Sequence, residues 1–571
     1  MVFEDIVFAP ILLPLLGAAL VITAKAFLHG RPMKILEYIG AFVGLGLPWL
    51  SFALTLPAVT SGRVFQGVIG NWHASVGITY QFDGLAWLVN VLTYSVCSAA
   101  WLYSLGSGPR GPAFTSVFLI LTASLSATIM TSDIFNLFVC LEVVGISSYI
   151  LVASTDKPGA SLASFTYLMI SASAMVFFLL GVYGLYRVTG SLSYQGIAQG
   201  LKALPDGGGM TAVISLALII SSTVIRVAVM PFSGWLPDAH ALAPHAVSAV
   251  LSGVLIKVPL FALSRILLIM PVGAQAGQLL GWAGALTALI GVILALSQAD
   301  AKRLLAYHSV SQIGYVVCAW GIALYVGITT SKGAALMTAA FLHAFYHALF
   351  KGLLFLSVGT TVDRAGERNV YRLRGAAAIL RSCGERIPVT LLTYLAGALA
   401  ISAVPPFNGF ISKNAISYAL EGTPLYYLLF AAGIGTVASF IKLSRIYWPD
   451  RSRKEIPVPA VPVPLTSKIS QGGLALLCLG GGILASRIHS LVMLLLSGTR
   501  AEYLIQWYSA GALLKTGAVI ALGTGVYLLT TTGIIARVLK VIREQPGDFR
   551  GLYISFSIGT ALLAGWMLLH L

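Results

Sequence analysis

The sequence predicts an all-α polytopic membrane protein with about 14–16 transmembrane helices. Hydrophobic residues make up 58% of its 571 residues and charged residues only 9%, whereas soluble domains carry about 25% charged residues. Apolar runs long enough to cross a bilayer, about 20 residues each, recur from one end of the chain to the other. We therefore expect one membrane domain and not several soluble ones.

Windows of that length define about sixteen candidate segments. The first is longer than the apolar part of a signal peptide and follows the acids Glu4 and Asp5, so we expect a retained helix. The segments are 6–28, 35–56, 84–105, 114–130, 134–153, 162–188, 211–230, 246–270, 280–298, 304–326, 335–359, 388–404, 424–448, 472–495, 511–538 and 552–571.

The net charge of +16 is spread over short loops and not over one face, so we expect no nucleic-acid partner. Loops on the cytoplasmic side of membrane proteins are enriched in Lys and Arg. If the N-terminus lies outside, the inside loops hold most cations, Lys302 and Lys442 among them. The outside loops then hold few, namely Arg63, Lys202, Lys332 and Arg500. This alternation predicts a multi-pass protein of the cell (inner or cytoplasmic) membrane with both termini outside.

The cysteines suggest neither metal nor redox chemistry. They lie at positions 97, 140, 318, 383 and 478, mostly inside apolar segments and without the spacing of a metal or redox site. The chain also lacks a ligand pattern for flavin, haem or iron–sulfur clusters. We expect no cofactor, no metal and no intrinsic redox chemistry. Whether the chain belongs to an enzyme stays open, because partner subunits could supply the redox steps.

Two apolar segments are interrupted in their middle. In the first, a run carrying Arg226 stops at Pro231, and a short polar passage precedes the next run, which carries Lys257. In the second, Pro405 and Pro406 precede an Asn-Gly turn signal, and Lys413 follows at once. Irregular backbone inside a bilayer is tolerated only where protein or water covers it. Broken helices beside buried charge are typical of transport sites.

The two breaks suggest an internal repeat. An odd number of segments separates them, so the second break would run in the opposite direction, as an inverted repeat requires. We predict four regions: N-terminal transmembrane helices at 1–112, a first inverted repeat at 113–270, a second at 276–448, and additional helices at 470–571. Within the last region, 503–538 and the final segment are expected to contact a neighbouring subunit or lipid.

Several ionisable side chains lie inside apolar segments, where charge is costly and by default indicates an ion path. Glu142 lies in mid-segment, and Arg226 and Lys257 flank the first break. A buried lysine can release its proton, whereas arginine stays charged. We expect Lys257 to load and release a proton and Arg226 to hold Glu142 ionised. The alternative for Glu142 is an ion pair that serves assembly alone.

His343, His347 and Lys351 recur at every fourth residue and so share one helix face. Histidine changes charge near neutral pH, which suits a proton wire. The alternatives are packed histidines without a transport role and a metal site, for which no acidic third ligand is evident. Lys413 would mark an exit toward one face of the membrane. Its alternative is a lysine that extends to the interface.

Six stretches resemble a known family. They are FDGLAWLVN at 82–90, DIFNLFVCLE at 133–142, PFSGWLPDAHALAPHAVSAVLSGVLIKV at 231–258, DAKRLLAYHSVSQIGY at 300–315, HAFYHALFKGLLFLSVG at 343–359 and PPFNGFISK at 405–413. Together they are similar to the proton-translocating antiporter-like subunits shared by respiratory complex I, Mrp cation/proton antiporters (their D- and A-type subunits) and membrane-bound hydrogenases. The likeness covers about 82–448.

The resemblance implies two inverted five-helix repeats, each with a discontinuous helix, and flanking helices. It also implies that Glu142 is the family's essential glutamate and Lys257 the central lysine of the connecting axis. Arg226 stands where the family usually has a lysine, which argues against any scheme in which that partner deprotonates. The resemblance further implies a link to the second half-channel at His343, His347 and Lys351, and a terminal lysine at Lys413.

We therefore predict a proton-translocating subunit of a multi-subunit membrane complex, with other membrane subunits and lipid as partners. Protons would pass from the inside through Lys257, His347 and Lys351 to Lys413, driven by charge movement along the Glu142–Arg226 pair. The main alternative is a Na⁺/H⁺ antiporter subunit that transports sodium directly, although few carboxylates are present to coordinate Na⁺. A quinone-reducing enzyme has no supporting residues, and an inert scaffold would not need buried charge.

Overall fold

The computed structural model describes residues 6–68, 77–270, 273–449, 461–498 and 506–544, with the single residues 558, 561 and 565. Within these residues, 13 helices are long and apolar enough to cross a membrane. The prediction of an all-α polytopic membrane protein is confirmed. Apart from those three single positions, the predicted segment 552–571 lies outside the described residues.

The N-terminal half begins with a 3₁₀ turn (Ile6–Phe8) and has a π-helical turn (Phe42–Gly46) between its second and third helices. Its helices are α1 (Ala9–Phe27), α2 (Arg31–Ala41), α3 (Pro48–Thr60), α4 (Gly84–Ser107), α5 (Pro112–Met130), α6 (Ile134–Ala153), α7 (Ala160–Thr189), α8 (Tyr194–Ala203), α9 (Gly209–Val227), α10 (Trp235–Leu242), α11 (His245–Val250) and α12 (Val258–Leu267). A second π-helical turn, Leu251–Leu255, joins α11 to α12.

The described part of the C-terminal half consists of helices joined by loops. Its helices are α13 (Gly273–Ser297), α14 (Ala301–Val326), α15 (Ser331–Ala365), α16 (Ala376–Ser382), α17 (Val389–Ile401), α18 (Asn408–Ala419), α19 (Pro424–Ser444), α20 (Leu465–Ile483), α21 (Ala485–Ser497), α22 (Ala510–Thr530) and α23 (Gly533–Glu544).

A small hairpin, which the sequence did not predict, precedes α4. Strand β1 (Phe65–Val68) pairs antiparallel with β2 (Thr79–Phe82). The next residue, Asp83, caps α4 by accepting the N–H of Ala86 at 2.9 Å. Both carboxylate oxygens of Asp83 also accept from Arg265, each at 2.8 Å. This two-pronged pair ties the start of α4 to the end of α12.

Three spans form the centre of the molecule. The apolar window of His245–Leu267 is 100% buried, that of Ser331–Ala365 is 94% buried and that of Ala301–Val326 is 89% buried. By contrast, only 11% of the window of α22 is buried. Lys257 and Lys351, which lie within two of these spans, are fully buried and therefore surrounded by protein and not by lipid.

Both predicted helix breaks are present. Helix α9 ends at Val227, and Ala228 adopts a left-handed φ of 59° before α10 starts after Pro231. Helix α17 ends at Ile401, and Ala403 adopts a φ of 57°. Non-glycine residues rarely adopt this conformation, so each break is a defined local structure and not a frayed helix end.

The two breaks have the same hydrogen-bond pattern. Each left-handed alanine donates its N–H three residues back, to Ile225 O in the first break and to Ala400 O in the second. Each following valine, Val229 or Val404, donates five residues back. This equivalence supports an internal repeat. The inverted arrangement and the predicted region boundaries remain predictions.

Two C-terminal predictions were wrong in detail. The segment expected at 472–495 is a pair of helices, α20 and α21, bent by 87° next to Leu484. The bend follows three consecutive glycines, Gly480 to Gly482, which weaken a helix. The segment expected at 511–538 ends at Thr530, because Gly533 adopts a φ of 65° and starts the separate helix α23.

Candidate functional site

Arg226 and Glu142 form an ion pair next to the first break. Arg226 Nη2 donates to Glu142 Oε1 at 2.8 Å, and Nη1 donates to Leu141 O at 2.8 Å. Its Nε lies 3.1 Å from Met175 Sδ. The Arg226 side chain is 3% exposed and that of Glu142 is 32% exposed. The guanidinium is therefore held by three partners, while about a third of the Glu142 side chain is accessible at the surface of the chain.

Lys257 is fully buried directly after the π-helical turn. The N–H groups of both Ile256 and Lys257 donate to Val254 O, which leaves Ser252 O available. Lys257 Nζ donates to Ser252 O at 2.7 Å. Lys257 has no carboxylate partner among the ion pairs of the described residues. The irregular turn thus provides the buried Lys257 amine with a carbonyl acceptor, Ser252 O, but no carboxylate in the described ranges lies beside the amine to balance its charge.

A short polar link runs from Lys257 to Lys351. The hydroxyls of Ser252 and Ser309 lie 2.7 Å apart, and Ser309 also donates to Leu305 O at 3.3 Å. Lys351 Nζ donates to the same Leu305 carbonyl and lies 4.8 Å from the centre of the Phe355 ring. Lys257 next to α12 and Lys351 on α15 are therefore connected through two residues of α14, Leu305 and Ser309.

His343 and His347 lie on α15 together with Lys351, and all three are fully buried. The two imidazole rings are nearly parallel, with centroids 6.2 Å apart. His343 Nδ1 is 2.9 Å from Ser412 Oγ on α18, after the second break. Neither ring nitrogen of His347 has a partner in the described part of the chain. The predicted shared face is present, and it points from Lys351 toward the second break.

Lys413 lies on α18 and is 8% exposed. Its Nζ donates to Ile401 O at 2.8 Å, a carbonyl at the end of α17. It also lies 5.0 Å from the centre of the Tyr315 ring. The amine thus caps the second break from inside the protein and is not extended to the interface. A cavity of about 60 Å³ adjoins it.

Sequence reasoning misplaced two lysines as loop cations. Lys302 is fully buried and donates to Ala243 O at 2.6 Å. Lys442 is 6% exposed and donates to Leu296 O and Gln298 O at 2.7 and 2.5 Å. Both satisfy backbone carbonyls at helix ends, where a cation is favourable. The sequence signal that could have indicated their burial is that both lysines lie within helices, α14 and α19, and not between them.

Two further buried histidines were not selected from the sequence. His240 and His308 are fully buried, and within the described residues neither ring has a hydrogen-bond partner. The His308 ring lies 5.0 Å from that of Phe440, and His308 directly precedes Ser309 of the polar link. In the sequence, the only indication that His308 lies near the path is its position next to Ser309, and that signal is weak.

Ion pairs connect the end of the first broken segment to the second half. Arg303 lies 3.0 Å from Asp238, and His245 lies 2.8 Å from Asp363. Arg368 bridges Asp300 and the carbonyl of Ala241. Burial near this cluster lowers the pKa of the loop residue Lys157 below its usual value, although Asp363 opposes the shift. The cluster forms contacts between the two halves at one end.

These features define a class: a polytopic α-helical membrane protein with a row of buried ionisable groups across its centre. In the described residues, no group of three His, Cys, Asp or Glu side chains is placed to hold a metal ion. The chain belongs to the NADH:quinone oxidoreductase/Mrp antiporter transmembrane family, whose family model matches residues 131–441.

Two relatives illustrate the range of the family. The chain is 35% identical over 361 residues to the N subunit of NADH-quinone oxidoreductase from Desulforudis audaxviator, covering 62% of this chain and 68% of that one. It is 28% identical over 463 residues to the D-type subunit of the Na(+)/H(+) antiporter from Alkalihalophilus pseudofirmus, covering 79% and 89%.

A solved structure has the same fold. A chain in the Mrp complex from Dietzia sp. DQ12-45-1b superposes with a TM-score of 0.75 at 22% identity, over 91% of this chain and 100% of that one. This likeness establishes the fold alone.

Proposed function

We propose that the chain moves protons across the cell membrane as a subunit of a larger membrane complex. The observation that carries this proposal is the polar link from Lys257 through Ser252 and Ser309 to Leu305 O and Lys351. Buried lysines without fixed counter-charges can alternate between charged and neutral forms. A row of such groups inside an apolar protein can conduct protons. The free energy of burying these charged groups is too high for them to serve packing alone.

The proposed path has two halves. Lys257 receives a proton from the inside, and rotation of its amine from the carbonyl to the hydroxyl of Ser252 brings it onto the serine pair. Serine hydroxyls both donate and accept, so Ser309 can turn from the Leu305 carbonyl, give its proton to the neutral amine of Lys351 and take a proton from Ser252 in exchange. From there the parallel histidines, His343 and His347, lead to Ser412 and to Lys413 beyond the second break.

Charge repulsion supplies the coupling. Arg226 keeps a constant positive charge and holds Glu142 at 2.8 Å. Because about a third of the Glu142 side chain is exposed, charge on an adjacent subunit can alter this pair. Loss of the Glu142 charge would leave the constant charge of Arg226 uncompensated, and the proposed coupling is the repulsion of a proton on Lys257 by that charge.

Direct Na⁺/H⁺ exchange is the second candidate, and the relative named as part of an Na(+)/H(+) antiporter favours it. A sodium site needs several oxygen ligands. The described path offers carbonyls of Ser252, Leu305 and Ile401, but lysine amines occupy them. Proton movement therefore fits the geometry better.

The test uses the assembled complex in native membrane vesicles. Proton movement is followed with a pH-sensitive dye and sodium movement with ²²Na⁺, for the unaltered chain and for Lys257→Gln. We expect Lys257→Gln to abolish proton movement while the complex still assembles. Undiminished proton movement in an assembled Lys257→Gln complex would overturn the proposal, and ²²Na⁺ flux that needs Lys257 would favour the second candidate.

A further inference from the structure

The cavity beside Lys413 is built from both halves of the second broken segment and from two later helices. Its lining includes Ser402 and Ala403 at the break, Lys413 and Asn414 on α18, and Tyr426 on α19. A water needs roughly 10–15 Å³ of such space, so about 60 Å³ accommodates several. Asn414 Nδ2 is buried without a protein partner in the described residues, which suits a wet cavity.

Another part of the wall comes from α22, which lies beyond the residues matched by the family model, 131–441. Helix α22 is mostly exposed, and Thr516 and Gly523 are its two buried residues. Gly523 packs so closely on Val437 of α19 that an added Cβ would lie 2.6 Å from Val437 Cβ. Thr516 and its neighbour Lys515 line the cavity. A helix that otherwise faces outward thus contributes its polar residues to the space beside Lys413.

An ion pair fastens this wall to α18. Lys515 Nζ lies 2.7 Å from Glu421 Oε1, and Glu421 follows the end of the helix that carries Lys413. Lys515 also lies 5.9 Å from the centre of the Tyr426 ring. Lys515 lines the cavity, and the two side chains are 48% and 51% exposed, so the pair connects the cavity wall to the surface. Half-exposed ion pairs are weak, and a weak pair can open and close readily.

We propose that Lys515 and Glu421 form a gate at the mouth of the cavity through which the proton of Lys413 leaves the protein. This gate rests on the proposed role of Lys413 in proton movement. With the pair closed, the cavity water is separated from the surroundings. With the pair open, the Lys413 ammonium gives its proton to water, which carries it out, and the neutral amine stays bonded to Ile401 O.

The gate is tested by water access and not by transport. Ser417 lines the cavity, and Ser417→Cys is introduced into the full chain, in its complex, in lipid nanodiscs. Labelling by a membrane-impermeant thiol reagent is timed against the complex without this cysteine, because the five native cysteines are all buried. Both faces are reachable in a nanodisc, so the result does not depend on orientation.

We expect Glu421→Gln and Lys515→Gln each to speed labelling of Ser417→Cys by about two- to fivefold, the range by which loss of a weak pair shifts an open population. The exchanged pair, Glu421→Lys with Lys515→Glu, should restore slow labelling. Glu544→Gln is the matched control, because it removes the exposed Lys540–Glu544 pair elsewhere.

Unchanged labelling in both single variants, or fast labelling in the exchanged pair, would overturn the gate. If one single variant does not assemble, the other carries the test. Labelling reports water access alone. Failure of the gate is therefore a separate result from failure of proton movement in the Lys257→Gln experiment.

Discussion

The hydroxyls of Ser252 and Ser309 lie 2.7 Å apart and connect two buried lysines that belong to different helices. Ser252 supplies the carbonyl that holds Lys257, and Ser309 shares the Leu305 carbonyl with Lys351. A hydroxyl can pass a proton on because it donates and accepts at once. Ordinary serines therefore occupy the central position of the proposed path.

Ser309→Ala is expected to slow proton movement at least about tenfold. The substitution removes the hydroxyl through which Ser252 is connected to the α14 side of the path, and a methyl group cannot transfer a proton. The measurement is dye-reported proton movement in vesicles. Ser311→Ala is the control, since Ser311 lies on the same helix but donates to Ala288 O at 2.8 Å, away from the lysines.

A different outcome would revise the route. The sequence alone predicted that protons cross through His347. Normal movement in Ser309→Ala together with slow movement in His347→Ala would show that the histidine and not the serine pair carries the proton between Lys257 and Lys351.

Glu142→Gln is expected to abolish coupled transport without loss of assembly. The amide keeps the shape and can still accept from Arg226, but it removes the negative charge that Arg226 neutralises. The control is Glu37→Gln, a buried acid that accepts from Thr115 at 2.7 Å and lies off the proposed path. Normal pumping by Glu142→Gln would remove the ion pair from the mechanism.

The proposed coupling depends on the positive charge of Arg226 and not on loss of its proton. Arg226→Lys should therefore keep most activity, although it gives up at least one of the contacts to Leu141 O and Met175. Arg226→Ala should lose most activity, because it leaves Glu142 without its partner. Initial rates of proton movement distinguish these cases. Equal rates in the two variants would mean that the cation there is incidental.

The sequence predicted those parts of the site that follow from local signals. Pro231 and Pro406 mark the breaks because proline removes a backbone donor. Glu142 and Arg226 were paired in advance because an isolated charge in an apolar segment is costly. Such inferences need no knowledge of which helices are neighbours.

The remainder depends on tertiary contacts. Ser252 and Ser309 are unremarkable in sequence, and only packing brings their hydroxyls together. Lys302 and Lys442 were assigned to loops because the charge rule counts cations near segment ends and not burial. The bend at Leu484 lies inside a window that is apolar on average, so mean hydropathy did not reveal it.

Gly482→Ala is expected to destabilise the second break. An added Cβ at Gly482 would lie 1.7 Å from Pro406 O, so the backbone of one segment must move. Overpacking of this kind costs about 1–3 kcal/mol. The measurement is Tm in detergent. Gly473→Ala on the same helix is the control, because nothing lies within 4 Å of its Cβ. Equal Tm values for the two variants would contradict this close contact.

The Asp83–Arg265 pair should contribute a stability that acid removes. Burial disfavours the ionised carboxylate, but the Arg265 guanidinium outweighs burial and holds the pKa of Asp83 below its usual value of 3.8. The contribution is therefore complete above about pH 4 and is lost as the pH falls through the lower pKa of the folded state.

We expect Asp83→Asn to lower Tm at neutral pH, and the difference from the unaltered chain to narrow as the pH falls below about 4. Thermal unfolding across a pH series measures this. A difference that stays constant into acid would show that the Asp83 carboxylate contributes by shape and capping and not by its charge.

The exposed part of the Glu142 side chain has different surroundings in a single chain and in an assembly. With 32% of its side chain uncovered, solvent or detergent can screen the pair in a purified single chain. An adjacent subunit that covers it would lower the local dielectric and strengthen every interaction of that carboxylate. Measurements on the isolated polypeptide would then underestimate the coupling, and reconstitution with its neighbours is the appropriate reference state.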